Sequence, residues 1–500
     1  MTLPPFSNLS DRYNEVVLKA DLAQHSAVRG CMVIKPYAYA MRENIKTYLD
    51  LCFKKTGHKN AYFPLFIPKS FFTKEAQHVE GFATEAAIVT HYRLKKDESG
   101  AMIVDPEAKL EEELIVRPTS ETIIRNTYKD RIQSYRDLPL LINQRANVVR
   151  REMRTRPFLR TAEFLRQEGH TAHATDKEAQ EETRQMRGIY ADFFEHMLAL
   201  PGIKGKKSES EKFAGAIDTY TIEVMMPDGK ALQSCTSHYL GQNFGKAFEV
   251  TFVTKENTTE YAYATSWGLS TRALGGMIMA HGDDAGIRVP PAIAPIHCVI
   301  IPIAKDEAGN AEILSYLQPL INELQDSSFS IQSSILGAYK IPIQLHIDDD
   351  LTKTNGRKYN QYELQGIPLR LAVGPRDMAS GNVEIARRDT KEKHTIPLHD
   401  VAAYITHTLT EIQHLMYITQ QHNLTTNTIN VDTREEFIQA LDAGKFIMAH
   451  RDGSAETEAK IKELTKATIR CIPTDAPQVT GACIYTQKPS TQRVLFARSY

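Results

Sequence analysis

Five hundred residues suffice for two to four domains, each with its own core. Acidic and basic residues nearly cancel to a net charge of -1, so no global field marks the chain for nucleic acid, and any such surface has to be local. No apolar run could span a bilayer, MTLPPFSNLSDRYNEVV lacks a signal-peptide pattern, and the six scattered cysteines suit a reducing cytoplasm better than a disulfide framework.

In chain order, the apolar stripe Tyr37, Met41, Ile45, Leu49 and Phe53 predicts a helix over 37–56, stopped by Gly57. AYFPLFIP (61–68) reads as an apolar strand interrupted by Pro64, which belongs at an edge or an interface. The charged, turn-rich stretch 93–114 reads as an exposed hairpin. Residues 138–149 and 161–167 read as two strands, and the turn chemistry of 154–157 joins them as an antiparallel pair. Thr175 and Glu178 form a capping box for a helix over 175–200, with Met186, Ile189, Phe193 and Met197 on its buried face. Residues 215–252 supply strand segments, including TYTIEVMM and AFEVTFV, and 270–281 a last helix. Strands with helices among them in this pattern predict an antiparallel sheet domain of α+β type.

Near Arg288 the texture becomes a proline-rich linker, VPPAIAP. Beyond it strands (HCVIIPI, IPIQLHID, PLRLAVG, NVEIARR) alternate with helices near 307–325 and 353–365, which predicts a small, largely parallel α/β domain. After His399 a long polar helix leads into a third module. The expected domains are 1–284, 285–400 and 401–500.

The stretch VRREMRTRPFLRTAEFLRQEGH (149–170) carries most of the candidate chemistry. It packs Arg150, Arg151, Arg154, Arg156, Arg160 and Arg166 together with Glu152, Glu163 and Glu168. On strands, residues two apart share a face, so Arg150 is expected to align with Glu152, and Arg166 with Glu168 and His170. Guanidinium forks in such an array suit a bidentate grip on phosphate oxygens, although a solvated basic face has the same composition.

RPTSE (117–121), VVRRE, PFLRTAEF, RQEGHTAHAT, QSCTSHYLGQNF (233–244) and TSWGLSTRALGGMIMAHGDD (265–284) follow in the order of the class II aminoacyl-tRNA synthetases. The chain resembles, over essentially its whole length, the prolyl-tRNA synthetases of the archaeal and eukaryotic type. The resemblance implies a class II α+β catalytic domain, an antiparallel sheet flanked by helices. After it come an α/β anticodon-binding domain and a small α+β C-terminal domain. It implies ATP-dependent formation of prolyl-adenylate, transfer of proline to tRNA(Pro), and a cytoplasmic homodimer built through residues 37–68.

By that resemblance Arg150 and Arg272 are the catalytic arginines. ATP falls to Arg150, Glu152, Arg160, Gln233, Thr236, Ser270 and Arg272, and magnesium enters with ATP, with Gln233 as its candidate protein contact. Proline falls to Thr119, Glu121, Arg150, Arg166, Glu168, His170, Thr236 and His238. The chemistry agrees: a protonated secondary amine offers two N–H donors, for which Thr119 and Glu121 supply a neutral acceptor and a carboxylate. Read as residues alone, His170 and His173 are core histidines. Glu363, Arg370 and Arg376 match positions that read the guanines of the proline anticodon, and arginine pairs bidentately with guanine O6 and N7.

The chain departs from the family in two places. Arg145, Arg151 and Arg166 stand where the family usually has tryptophan, and Arg166 would form a wall of the proline pocket, paired with Glu168 or turned to solvent along its stem. The family's zinc site uses four cysteines in two close pairs; here Arg451, Glu456, Cys483 and Thr486 occupy those positions, so no structural zinc is expected. The span from Arg160 to Arg272 is filled by expected strands and helices, leaving no room for an editing domain. Two rivals are a sister class IIa synthetase for another amino acid and a synthetase-like binding subunit. RPTSE and TSH argue against the first, and the retained Arg150, Arg160 and Arg272 against the second.

Overall fold

The computed structural model describes residues 3–5, 7–74 and 86–500. Its first domain is organised around antiparallel strands β1 (Leu140–Val149), β2 (Glu163–His173), β3 (Asp218–Met225), β4 (Ala231–Gly241) and β5 (Tyr263–Ser270), lying side by side in the order β3-β4-β5-β2-β1. One face is covered by the helix Asp176–Asp192, whose capping box at Thr175 and Glu178 forms as the sequence indicates, and by the π-helical turn Phe193–Met197 that extends it. Met186, Ile189, Phe193 and Met197 are all buried in the main core. The other face is left open as a cleft. Two helices complete its frame: Glu121–Arg131, which enters from the RPTSE segment, and Arg272–Ala280, which follows β5 directly.

The helix Pro36–Lys55 takes its proline in the first turn, where no N–H is missed, and buries Met41, Ile45, Leu49 and Phe53. The segment after it is not one strand. Lys59–Asn60 joins the main sheet parallel to β1, whereas Phe66–Pro68 pairs with Lys109–Val116 in a separate small sheet. Pro64, which lacks a backbone donor, lies in the gap between them. Of the stretch 93–114 expected as an exposed hairpin, only Leu94–Lys96 and Met102–Val104 form one, and Lys109–Val116 pairs elsewhere, with Phe66–Pro68 and Ile88–His91. The segment AFEVTFV is also divided: Asn243–Ala247 is a short helix, and only Thr251–Val253 is strand.

The second domain has a five-stranded sheet in the spatial order Leu345–Ile347, Cys298–Pro302, Leu369–Val373, Asn382–Arg387, Lys393–Pro397. The first three strands are parallel and the last two antiparallel, so the sheet is mixed rather than largely parallel. The proline-rich linker is not an exposed tether. Pro291–Ile293 forms a buried 3-10 turn, and the Ala292 N–H donates to Gln413 Oε1 at 2.9 Å while Gln413 Nε2 donates to the His196 carbonyl at 2.7 Å. Gln413 lies on the long helix Val401–Thr426, which is less polar than expected because Ile405, Leu409, Ile412 and Met416 bury one stripe in the common core.

The third module continues the sheet of the first. Gly202–Lys206, beside β3, pairs with Thr468–Pro473, and the sheet runs on through Arg493–Ala497, Phe446–His450 and Thr428–Asn430 to eleven strands. Gly205 makes this junction possible, because a Cβ there would come within 2.6 Å of Cys471 Cβ. No helix among the described residues is long and apolar enough to cross a membrane.

Candidate active site

Strand alternation sorts the side chains of the sheet. Gln167 accepts from the Tyr190 hydroxyl at 2.5 Å and Ser237 donates to the Thr183 carbonyl at 2.8 Å, both on the helix covering the rear face. Arg166, Glu168 and His170 on β2, and Thr236 and His238 on β4, therefore point to the open face. There a cavity of about 430 Å³ is lined by Arg150, Arg166, Gln233, Thr236, His238, Ser270 and Arg272.

Behind this lining lie Thr119, Glu121, Glu168 and His170, all buried. Thr119 donates its hydroxyl hydrogen to Glu121, which leaves the threonine lone pairs as acceptors. Burial alone would raise the Glu121 carboxyl, but His170, Arg166 and the Thr119 hydroxyl hold it well below the usual carboxylate range. Glu168 is likewise held down against burial, chiefly by Arg166, and it accepts from Ser120 Oγ at 3.1 Å and lies 3.1 Å from His170 Nε2. Burial drives His238 down to about 3, so its ring is neutral, with Nδ1 2.9 Å from Thr219 Oγ1 and its plane against Phe213 at 4.6 Å. Directly behind the cavity lining, carboxylates and neutral acceptors thus lie together, suited to an ammonium group.

The upper wall is cationic. Burial, then Arg166, push the Arg150 guanidinium down to about 10, and its Nε donates to the Pro118 carbonyl at 2.8 Å. Arg272 is lowered by burial and then by Arg160, and it opens the helix Arg272–Ala280, whose N-terminal end also favours an anion. Like charges crowded under low solvation are relieved by a polyanion. Arg160 lines an adjoining cavity of about 360 Å³ that shares Arg272 and contains Tyr500. The Tyr500 hydroxyl donates to Asp228 at 2.6 Å, which brings the end of the third module against the first domain.

Arg150 and Glu152 do not share a strand face, because β1 ends at Val149 and both belong to the connecting loop. Glu152 turns instead to Arg160, at 3.5 Å, and does not line the main cavity. Of the arginines standing for tryptophan, Arg145 pairs with Asp50 at 2.8 Å, Arg151 is exposed, and Arg166 stays in the cleft near Glu168 and Glu121 rather than turning to solvent. Sequence reading missed Lys207, which lines the cavity although its ammonium is buried, and Phe213. Neither belongs to a motif, and only the fold brings them here.

In the second domain Glu363 and Arg370 line a pocket of about 190 Å³, and Arg370 stacks over Tyr359 at 4.0 Å. Arg376 does not line it and is exposed on the short helix Pro375–Ser380. Arg387, Arg388, Lys391 and Lys393 complete the pocket; the basic run RRDTKEK was their only signal.

The donor set at the family's zinc positions does not fit that metal. Arg451 is bound to Glu458, Glu456 is exposed and pairs with Lys460, and Thr486 donates to Asp452 at 3.0 Å, leaving Cys483 as a lone thiol. Among the described residues there is no group of three or more His, Cys, Asp or Glu placed to hold a metal ion.

Residues 103–281 match the tRNA synthetase class II core domain of the G, H, P, S and T enzymes, and residues 297–408 match an anticodon binding domain. Residues 434–500 match the C-terminal domain of prolyl-tRNA synthetase. The chain is 55% identical to the proline–tRNA ligase of Parabacteroides distasonis over 99% of its own length and 98% of the relative. It is 56% identical to that of Cytophaga hutchinsonii over 98% and 97%, and 54% identical to that of Porphyromonas gingivalis strain ATCC 33277 over 99% and 98%. The chain belongs to the prolyl-tRNA synthetase family.

Proposed function

We propose that the chain activates L-proline with ATP, releasing pyrophosphate, and transfers the prolyl group to the terminal ribose of tRNA(Pro). The observation that carries this reading is the single cleft in which Thr119 and Glu121 lie behind a wall formed by Arg150, Arg166 and Arg272. The imino group of proline donates to Glu121 and Thr119, with His238, Thr236, Glu168 and His170 enclosing the ring. The substrate carboxylate then faces the α-phosphorus, and its attack expels pyrophosphate in line. Arg150 takes the charge that grows on the α-phosphoryl oxygens, Arg272 and Ser270 hold the nucleotide, and Arg160 and Glu152 attend its outer end. Gln233 would be the side chain offered to magnesium carried by ATP, which would supply neutralisation of the phosphate charge that opposes attack. Glu363 and Arg370 read the anticodon in the second domain, and Arg376, outside their pocket, is assigned to the same recognition by the family resemblance alone.

We divide the chain at 284/285 and 400/401 into catalytic, anticodon-binding and C-terminal parts, the last without structural zinc. The span between Arg160 and Arg272 is filled by β2 to β5, their covering helix and short connecting elements, with no inserted domain among the described residues, so any correction of mischarged alanine must come from another protein. A cytoplasmic homodimer is supported by six free cysteines and by the exposed apolar side chains Tyr62 and Phe66 in the region assigned to the contact. Charging of tRNA(Pro) with labelled proline tests the reading. Proline should appear on the tRNA 3' end, with Arg150→Ala reducing the rate at least about 100-fold. No charging by the unaltered protein would overturn it.

A further inference from the structure

Beneath the ATP side of the cleft is a buried charge cluster that the proposed mechanism does not use. Glu223 is 0% exposed, and it accepts from Arg470 through Nε at 3.1 Å and Nη2 at 3.0 Å. Its other oxygen accepts from Lys207 Nζ at 2.7 Å and from Thr221 Oγ1 at 2.9 Å, while Lys207 Nζ also donates to the Arg470 carbonyl at 2.7 Å. Lys207 and Glu223 belong to the first domain, and Arg470 comes from the third, on the strand Thr468–Pro473 that extends the sheet.

The geometry points to Arg470 as a positioning residue for ATP binding, acting through Glu223 and Lys207; this rests on the synthetase reading of the cleft. Glu223 is the register partner of Gln233, beside a bulge in the β3–β4 pair, and Arg272 Nη1 reaches the Gln233 carbonyl at 3.5 Å. Arg470 does not line the cleft, whereas Lys207 and Gln233 do. Its Nε and Nη2, both donating to one carboxylate oxygen, fix Glu223, Glu223 fixes the strand position of Gln233, and the Gln233 carbonyl is one of the two that hold the Arg272 guanidinium. The charge balance acts in the same sense. Two cations against one carboxylate leave a net positive charge under the nucleotide phosphates, and both Glu223 and Arg470 act on Arg272. Without Arg470, Lys207 alone neutralises Glu223 and the surplus disappears.

The test uses the full chain with Arg470→Met and Arg470→Lys, measuring KM for ATP and for proline in pyrophosphate exchange, and thermal unfolding. Arg470→Met should raise the ATP KM about tenfold and leave the proline KM within about twofold, because Lys207 still compensates Glu223. Arg470→Lys, which keeps the charge but not the fork, should fall between, near threefold. If the methionine variant does not fold, the lysine variant decides by the same split. An unchanged ATP KM in the folded variants overturns the proposal, as does an equal rise for both substrates, which a merely structural role would give. Should the unaltered protein show no proline-dependent exchange, the functional reading fails on its own. ATP dissociation constants from equilibrium dialysis then decide Arg470, a loss supporting it and no change overturning it.

Discussion

The guanidinium of Arg166 lies across the bare Cα of Gly268: a methyl carbon on that glycine would come within 2.9 Å of Nη2 and 3.0 Å of Nε. The two nearest obstructing atoms are the far end of a flexible side chain, and the Gln167 carbonyl oxygen at 3.2 Å has to give by only a few tenths of an ångström, so Gly268→Ala should displace Arg166 before the sheet. Arg166 is a leading source of the attraction that keeps Glu121 and Glu168 ionised behind the cleft. The variant is expected to raise the proline KM several-fold while the unfolding free energy changes by less than about 1 kcal/mol. Steady-state kinetics with a melting curve checks this, and an unaltered proline KM would show that Arg166 has no part in the pocket.

Acid stability follows from four buried rings. Burial lowers His173 and His238 to about 3 and His281 and His297 to about 4. His297 shows why: its Nδ1 accepts from the Gln344 N–H at 2.8 Å while Nε2 donates to the Pro291 carbonyl at 3.0 Å, so a second proton would break one contact. Below about pH 6.5 the unfolded chain takes up protons that the fold refuses, so each ring removes ~1.4 kcal/mol of stability per pH unit of acidification until its folded value is reached. Above that pH the contribution is complete. Denaturant titrations between pH 5 and 6 should show a slope shallower by about that amount in His297→Gln, and parallel slopes would refute the assignment.

Much of this architecture could be read from the chain, because periodicity and capping are local. The capping box at Thr175, the stripe of the helix Pro36–Lys55 and the alternation of Arg166, Glu168 and His170 are all present in the fold. The failures came where a local pattern was extended past its element. Alternation does not extend past Val149 to Glu152, and within the segment that reads as a linker the Ala292 N–H finds its partner on the distant helix Val401–Thr426. Lys207 and Arg470 are far apart in sequence, and no local signal joins them; their contact exists because two domains share one sheet.

The third module should be indifferent to metal. Asp452 accepts from the Ser454 N–H and hydroxyl, both at 3.0 Å, from Thr457 at 2.8 Å and from Thr486 at 3.0 Å, tying together the segments that two cysteine pairs would otherwise clamp. Against burial, these donors hold its carboxyl down to about 2. Dialysis against a strong zinc chelator should leave the melting temperature unchanged, whereas Asp452→Ala should cost about 1–3 kcal/mol. A chelator-induced drop would contradict the zinc-free reading.

Asp283, at the end of the first domain, accepts from both terminal nitrogens of Arg388, at 2.9 and 2.6 Å, and from Arg288 at 3.0 Å. Arg388 also lines the pocket of Glu363 and Arg370. Asp283→Asn should therefore loosen the seating of the anticodon-binding part. The expected result is a tRNA KM raised several-fold with little change in pyrophosphate exchange, which needs no tRNA. A fall in exchange matching the fall in charging would place the defect in the cleft instead.

ATP–pyrophosphate exchange measured separately with each of the standard amino acids tests the central claim most directly. The pairing of Thr119 and Glu121 behind the arginine wall predicts exchange that depends on proline and is abolished in Glu121→Gln. Exchange driven by a different amino acid, or by none, would contradict it.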